Sequence, residues 1–289
     1  MESMNLTDTA KDVLRNHKAE FIIGYIKGED NKTKPFIARN EKDAEQLVFD
    51  HYSVNNLSVY LTRIEKPKKG KIGIVAKGCD IRAIIALVQE NQLKREEVFI
   101  IGANCSGVVN DVNNEWNKEN TQIKCRYCQL RTPNNYDVLI GELEEFELPE
   151  DAQQILMNKI ENMNPEERFE FWQNEFDKCI KCYACRQVCP LCYCEQCIVE
   201  KSMPQWIETS ATAKGNFAWN LIRAFHMAGR CIGCHECERA CPMDLPITLL
   251  TRRMGMIAGK EFNYKHGMDA SQPTLIGTYH TNDKEDFIR

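Results

Sequence analysis

Apolar positions change their spacing about halfway along the chain. In the first half they come in short runs, Phe21-Ile22-Ile23-Gly24-Tyr25-Ile26, Ile72-Gly73-Ile74-Val75-Ala76 and Val98-Phe99-Ile100-Ile101-Gly102, rich in β-branched residues and bounded by Gly or charged residues. Runs of this length and make-up are those of buried strands. Between the last two, Ile81, Ile84, Ile85 and Val88 recur at spacings of three and four, which predicts a helix with Asp80 as its N-cap. Strand, helix and strand in that order predict an α/β domain with a mostly parallel sheet. From Gly141 to Asp151 the chain then carries Glu142, Glu144, Glu145, Glu147, Glu150 and Asp151 around Pro149, the composition of a solvated linker.

Beyond the linker the spacing is helical. Asn164-Pro165-Glu166-Glu167 supplies a cap, a first-turn proline and early acidic residues, and Phe169, Trp172 and Phe176 follow as an apolar face expected to dock on the core. A second helix is expected from Asn216 to Ala228, with Phe217, Leu221, Ile222 and Phe225 on its apolar side and Gly229 as its stop. A third follows Asp244-Leu245-Pro246, with Leu249, Leu250 and Met254 inward until Gly255 and Gly259 weaken it. The expected division is therefore an α/β domain at 1–145, an α-helical domain at 146–259 and a tail or docking arm at 260–289.

A chain of 289 residues is long enough for two such domains, each with its own core. It has no run of about 18 apolar residues, so no membrane span is expected. The start, Met1-Glu2-Ser3-Met4-Asn5, lacks the basic and apolar stretches of a secretory leader, and a cytoplasmic location is expected. A net charge of −5 argues against a nucleic-acid partner and for protein partners. In a reducing compartment, 15 cysteines point to metal ligands or redox chemistry rather than disulfides.

Their spacing narrows the choice. Cys179-x-x-Cys182-x-x-Cys185-x-x-x-Cys189-Pro190 is repeated completely as Cys231-x-x-Cys234-x-x-Cys237-x-x-x-Cys241-Pro242, and this is the bacterial ferredoxin run, in which three thiolates grip one cubane and the fourth reaches the other cluster. The expected 4Fe-4S ligands are Cys179, Cys182, Cys185 and Cys241 for one cluster, and Cys231, Cys234, Cys237 and Cys189 for the other. Zinc is the alternative, although its structural sites pair separated C-x-x-C knuckles. The 41 residues between Cys189 and Cys231 exceed the connection of a minimal ferredoxin. With Cys-Pro-Met-Asp-Leu-Pro at 241–246, this half resembles the small dicluster subunit of heterodisulfide reductases and implies an α-helical ferredoxin domain. Cys192, Cys194 and Cys197 are left over, either as reduced thiols beside a cluster or for alternative ligation, a further metal or sulfur-relay chemistry.

Four cysteines remain upstream. Cys79 follows the run 72–76 and Cys105 the run 98–102, so a parallel sheet would put both at one edge, where Cys125-x-x-Cys128 could complete four thiolates. Lys77-Gly78-Cys79-Asp80-Ile81-Arg82-Ala83, Ile101-Gly102-Ala103-Asn104-Cys105-Ser106-Gly107, and Cys125-x-x-Cys128 followed by Tyr136-Asp137-Val138-Leu139-Ile140-Gly141 resemble the beta subunits of deazaflavin-coenzyme-reducing hydrogenases and related formate dehydrogenases. The resemblance implies a third 4Fe-4S cluster on Cys79, Cys105, Cys125 and Cys128, near a flavin. The family's Lys-Pro-Cys stands here as Lys77-Gly78-Cys79, and no G-x-G-x-x-G or Walker motif is present. His226 and His235 are read as surface or packing residues, and no spacing gives a catalytic constellation. The expectation is an electron-transfer subunit working with a flavoprotein, hydrogenase or formate dehydrogenase. The alternative is a chain that binds FAD and itself reduces a nicotinamide or deazaflavin carrier.

Overall fold

A computed structural model of the chain describes residues 5–29, 32–144, 147, 149–279 and 281; Glu145 of the acidic linker and the end of the tail lie outside them. The first half runs α1 (Leu6–Arg15), β1 (Phe21–Lys27), β2 (Thr33–Ala38), α2 (Glu41–Ala44), β3 (Leu47–Val48), β4 (Ile72–Ala76), α3 (Gly78–Gln89), β5 (Val98–Ala103), α4 (Ile123–Arg126) and β6 (Val138–Ile140). The sheet order is β2-β1-β4-β5-β6, with β3 also on β1. β1, β4, β5 and β6 are parallel neighbours, while β2 and β3 pair antiparallel with β1. The three runs expected as strands are the adjacent strands β1, β4 and β5. β2 escapes the pattern because it is an edge strand that carries Pro35 and is only half-buried along most of its length, as edges allow.

α3 begins earlier than its sequence signal. Lys77 is the N-cap and Asp80 the third helical residue, whose carboxylate accepts the Lys77 backbone N–H at 3.1 Å and its Nζ at 3.0 Å. Asp80 is thus a buried partner of Lys77 rather than a cap facing water. Lys77 Nζ also donates to Tyr25 Oη at 2.7 Å and to the Asn55 carbonyl, so its charge is fully partnered in the core.

The second half is built from α5 (Ala152–Glu161), α6 (Pro165–Asp177), α7 (Ala184–Gln187), α8 (Ala213–Met227), α9 (Glu236–Arg239) and α10 (Ile247–Phe262). α6 starts as expected: Asn164 and Glu167 exchange hydrogen bonds at 2.9 and 3.1 Å. Its face is only partly docked, with Phe176 buried and Phe169 exposed. α8 ends at Gly229, which takes a φ of +67°. Its buried face, however, is not the apolar one: Asn216, Trp219, Asn220 and Arg223 point inward and Phe225 outward. That face lies against the cysteine loops, whose carbonyls need donors, and hydrogen-bond demand overrides apolar periodicity. α10 continues through Gly255 and Gly259, carried by buried Leu249, Thr251 and Ala258. Both glycines line the large cavity described below.

The halves share a core in which Ile81, Ile84 and Leu87 of α3 pack with Cys189, Leu191, Met227, Ile232 and Cys234. Past α10 the chain turns at Asn263, with φ +49°, and returns along α3. There Arg82 donates to the His266 carbonyl at 2.9 Å and Gln89 to the carbonyls of Asp269 and Gln272. Glu90 closes this junction, accepting from Arg230 at 2.6 Å and from Tyr193 Oη at 2.7 Å. Burial alone would raise its carboxyl, but the hydrogen bonds from Arg230 and Tyr193, with the His266 ring 3.4 Å away, bring it down to about 2. A folded value below the ordinary 4.5 means stabilisation present above that pH and lost as pH falls toward about 2. Urea denaturation of Glu90→Gln should therefore show a deficit against the native chain at pH 7 that narrows by about pH 4; an equal deficit at both would refute the linkage. Among the described residues no helix is long and apolar enough to cross a membrane.

Candidate metal centres

The two ferredoxin runs repeat in backbone as well as in sequence. Lys181 and Tyr183 in the first take φ of +51° and +58°, and Gly233 and His235 in the second take +71° and +55°. The left-handed region costs a residue with a side chain on the order of 1–2 kcal/mol. Lys181 N–H then points at Cys179 Sγ and Gly233 N–H at Cys231 Sγ, each at 3.4 Å. Both loops close in one helical turn, α7 with Cys185 and α9 with Cys237.

Burial pushes the Cys185 thiol up; Arg223 opposes this, and the neighbouring thiols of Cys179, Cys241 and Cys182 add to it. Cys237 is pushed up in the same way, with Arg223 opposing and Cys231 and Cys189 adding. Cys241 packs in one cluster of buried and partly buried residues with Cys179 and Cys185. Cys189, Cys231, Cys234 and Cys237 enclose a cavity of about 20 Å³ that Arg223 also lines. The polar face of α8 serves these loops: Asn216 donates to the Cys179 carbonyl at 2.7 Å and Arg223 to that of Cys185 at 3.3 Å.

The upstream cysteines converge at the carboxyl ends of β4 and β5. Cys79 is the second residue of α3 and Cys105 follows β5, whose loop is tied to the Cys125 loop by Cys105 N–H to the Arg131 carbonyl at 3.0 Å. That loop presses on the start of α3. A Cβ at Gly78 would lie 1.7 Å from the Leu130 carbonyl oxygen, so the residue between Lys77 and Cys79 has no room for a side chain. All four cysteines line one cavity of about 410 Å³, together with Cys231. Burial pushes Cys79 up to about 12, with Lys77 the largest opposing influence and Lys124 another. These two lysines, 1% and 6% exposed, are cations placed where thiolates would otherwise be costly. Spacing arguments passed over them, although each stands within two residues of a candidate ligand.

Among the described residues no three His, Cys, Asp or Glu side chains converge tightly enough to share one metal ion. The upstream thiols and those of Cys189, Cys231, Cys234 and Cys237 instead line open space beside buried cations, and donor sets of that kind fit 4Fe-4S clusters.

The upstream set is joined to the second run through the spacer residues of their motifs. Tyr127, between Cys125 and Cys128, hydrogen-bonds His235, between Cys234 and Cys237. His235 is buried rather than at the surface, and its Nδ1 meets Glu238 at 2.9 Å and Thr248 at 3.2 Å. Lys124 pairs with Glu236 at 3.3 Å, both side chains at most 5% exposed, and Arg239 completes the pair from the other side at 2.7 Å. Of the three surplus cysteines, Cys192 lies against Cys189, Cys197 packs with Cys179 and Cys241, and Cys194 is exposed.

Residues 178–246 match the family model described as a 4Fe-4S dicluster domain. The chain is 25% identical to the F420-dependent formate dehydrogenase subunit beta of Methanocaldococcus jannaschii, across 94% of this chain and 93% of that protein. It is 24% identical to the F420-dependent formate dehydrogenase 1 subunit beta of Methanococcus maripaludis, across 72% of this chain and 76% of that one. With the paired cysteine loops and the α/β domain upstream of them, the chain is similar to formate dehydrogenase beta subunits along most of its length, and its residues 178–246 match a 4Fe-4S dicluster domain.

Proposed function

We propose that this chain is an iron–sulfur electron-transfer subunit of an oxidoreductase complex, holding three 4Fe-4S clusters in series. Its dicluster domain and its beta-subunit relatives support the general role. The observation that carries the series is the buried link between Cys125-x-x-Cys128 and Cys234-x-x-Cys237 through Lys124–Glu236 and Tyr127–His235. Cys79, Cys105, Cys125 and Cys128 would hold the upstream cluster. Cys231, Cys234, Cys237 and Cys189 would hold the middle one in an α-helical ferredoxin domain, and Cys179, Cys182, Cys185 and Cys241 the outer one. Bound there, the cubanes supply one-electron steps that need no proton acceptor. The chain's own groups set their surroundings: Lys77 and Lys124 offset thiolate charge, and backbone N–H groups point at sulfur. Of these twelve cysteines only Cys182 is exposed, so the outer set is the one that faces a partner. The partner in this reading is a cytoplasmic redox subunit of the flavoprotein, hydrogenase or formate dehydrogenase type. Anaerobic protein should be brown and give the EPR signals of reduced cubanes with dithionite; colourless protein carrying zinc and no acid-labile sulfide would overturn it.

The cavity of about 410 Å³ favours a second reading, because it extends past the upstream cysteines to Arg82, Tyr127, Lys265 and the glycines of α10. Space of that size, lined by cations and small residues, would admit a flavin beside the upstream cluster, from which a deazaflavin or nicotinamide carrier could be reduced. Flavin released on denaturing the purified chain supports this reading; iron-replete protein that releases none and takes none up excludes it.

A further inference from the structure

Two arginines sit at the two junctions of the cysteine series, and neither has a carboxylate partner among the described residues. Arg82 of α3 lines the large cavity, with Cys231, Cys128 and Cys234 as the thiols that act on it. Its guanidinium reaches the His266 carbonyl, and its Nε is buried with no hydrogen-bond partner. Arg223 of α8 is 4% exposed and lines the small cavity of the second set. It donates to the Cys185 carbonyl of the first set, and its Nε is likewise buried without a partner. One cation thus stands between the upstream and second sets, and the other between the second and first.

A buried guanidinium with an orphaned N–H and no counter-anion is among the costliest arrangements a fold can hold. The cost falls if an anion occupies the space the N–H faces. Burial pushes Arg82 down, against the thiols of Cys231, Cys128 and Cys234. Beyond one backbone carbonyl each, Arg82 shares its cavity with Cys128, Cys231, Tyr127 and Lys265, and Arg223 shares its own with Cys189, Cys231, Cys234 and Cys237.

We propose that Arg82 and Arg223 are positioning residues that couple neighbouring clusters, each offsetting the negative charge that a one-electron reduction adds on either side of it. The inference rests on the three-cluster reading. Each electron leaves one cluster and arrives on the next, with no bond made and no proton moved. A fixed cation between the two stabilises the reduced state of both, so removing it should lower both reduction potentials.

The test is anaerobic potentiometric titration by EPR of the full chain and of Arg82→Gln, Arg223→Gln, Arg82→Lys and Arg223→Lys, with iron measured in each. Arg82→Gln should shift the upstream and second-set signals down and spare the first, whereas Arg223→Gln should shift the two ferredoxin signals and spare the upstream one. A tenfold weaker reduction equilibrium reads as about 59 mV for a one-electron couple. The Lys variants should keep most of the native potentials. Unshifted potentials at full iron content, or equal shifts of all three signals, overturn the proposal. Iron loss in the Gln and Lys variants alike also overturns it, since the arginines would then be needed for the fold and not for their charge. Iron missing from the native chain would instead refute the three-cluster reading itself.

Discussion

Substituting Cys105 by Ser should remove one cluster and leave two. Cys105 belongs to the upstream set alone, and its backbone N–H bond to Arg131 does not depend on the thiol. Serine keeps the shape of cysteine at a slightly smaller size, so the loop over α3 should stay in place while the set falls to three thiolates. All eight ferredoxin cysteines lie between residues 179 and 241, and in the proposed assignment none of them is a ligand of the upstream cluster. Iron should fall by about a third, from about twelve to about eight atoms per chain. One reduced EPR signal should vanish while the others keep their shape. Cys194→Ser, at an exposed thiol, should change neither count nor spectrum. Loss of all iron from Cys105→Ser would mean that the three sites do not load independently.

The second large effect is expected at Lys124 and Glu236. Burial alone would lower the Lys124 ammonium and raise the Glu236 carboxyl, yet each charge holds the other in its ionised form, with Arg239 adding to the effect on Glu236. Glu236→Leu strands Lys124 with only the Val54 carbonyl, and truncating one side of such a buried pair costs about 3–5 kcal/mol. Lys124→Met should cost less, because Arg239 still meets Glu236 at 2.7 Å. Lys124→Met with Glu236→Leu should recover part of the loss, since Lys124 is no longer buried alone and Arg239, with its side chain 31% exposed, can turn to solvent. Denaturant midpoints of the four proteins give the coupling directly. Additive single losses would show that the pair does not hold the junction.

What could be read in the chain before its fold was known is what local spacing encodes. The ferredoxin runs are legible because a loop that wraps one cubane fixes three cysteines within seven residues. The central strands are legible because their runs are buried on both faces. The upstream set was partly legible: two strand ends place Cys79 and Cys105 at one edge, whereas the approach of Cys125 and Cys128 depends on Gly78 yielding room to Leu130. The inner face of α8 was misread because its donors answer carbonyls in loops about 40 residues away, which no helical periodicity records. The return of residues 263–272 onto α3 was hidden for the same reason, since single side-chain to backbone bonds such as Gln89 to Asp269 make no pattern. Lys77, Lys124 and Arg223 carry charge in a core and Arg82 lines a cavity, and a composition count cannot tell them from surface cations.

The central claim is three clusters on one chain, and iron with acid-labile sulfide per chain, measured on anaerobically prepared protein, tests it most directly. The account predicts about twelve of each. About eight of each, with Cys105→Ser indistinguishable from the native chain, would contradict it.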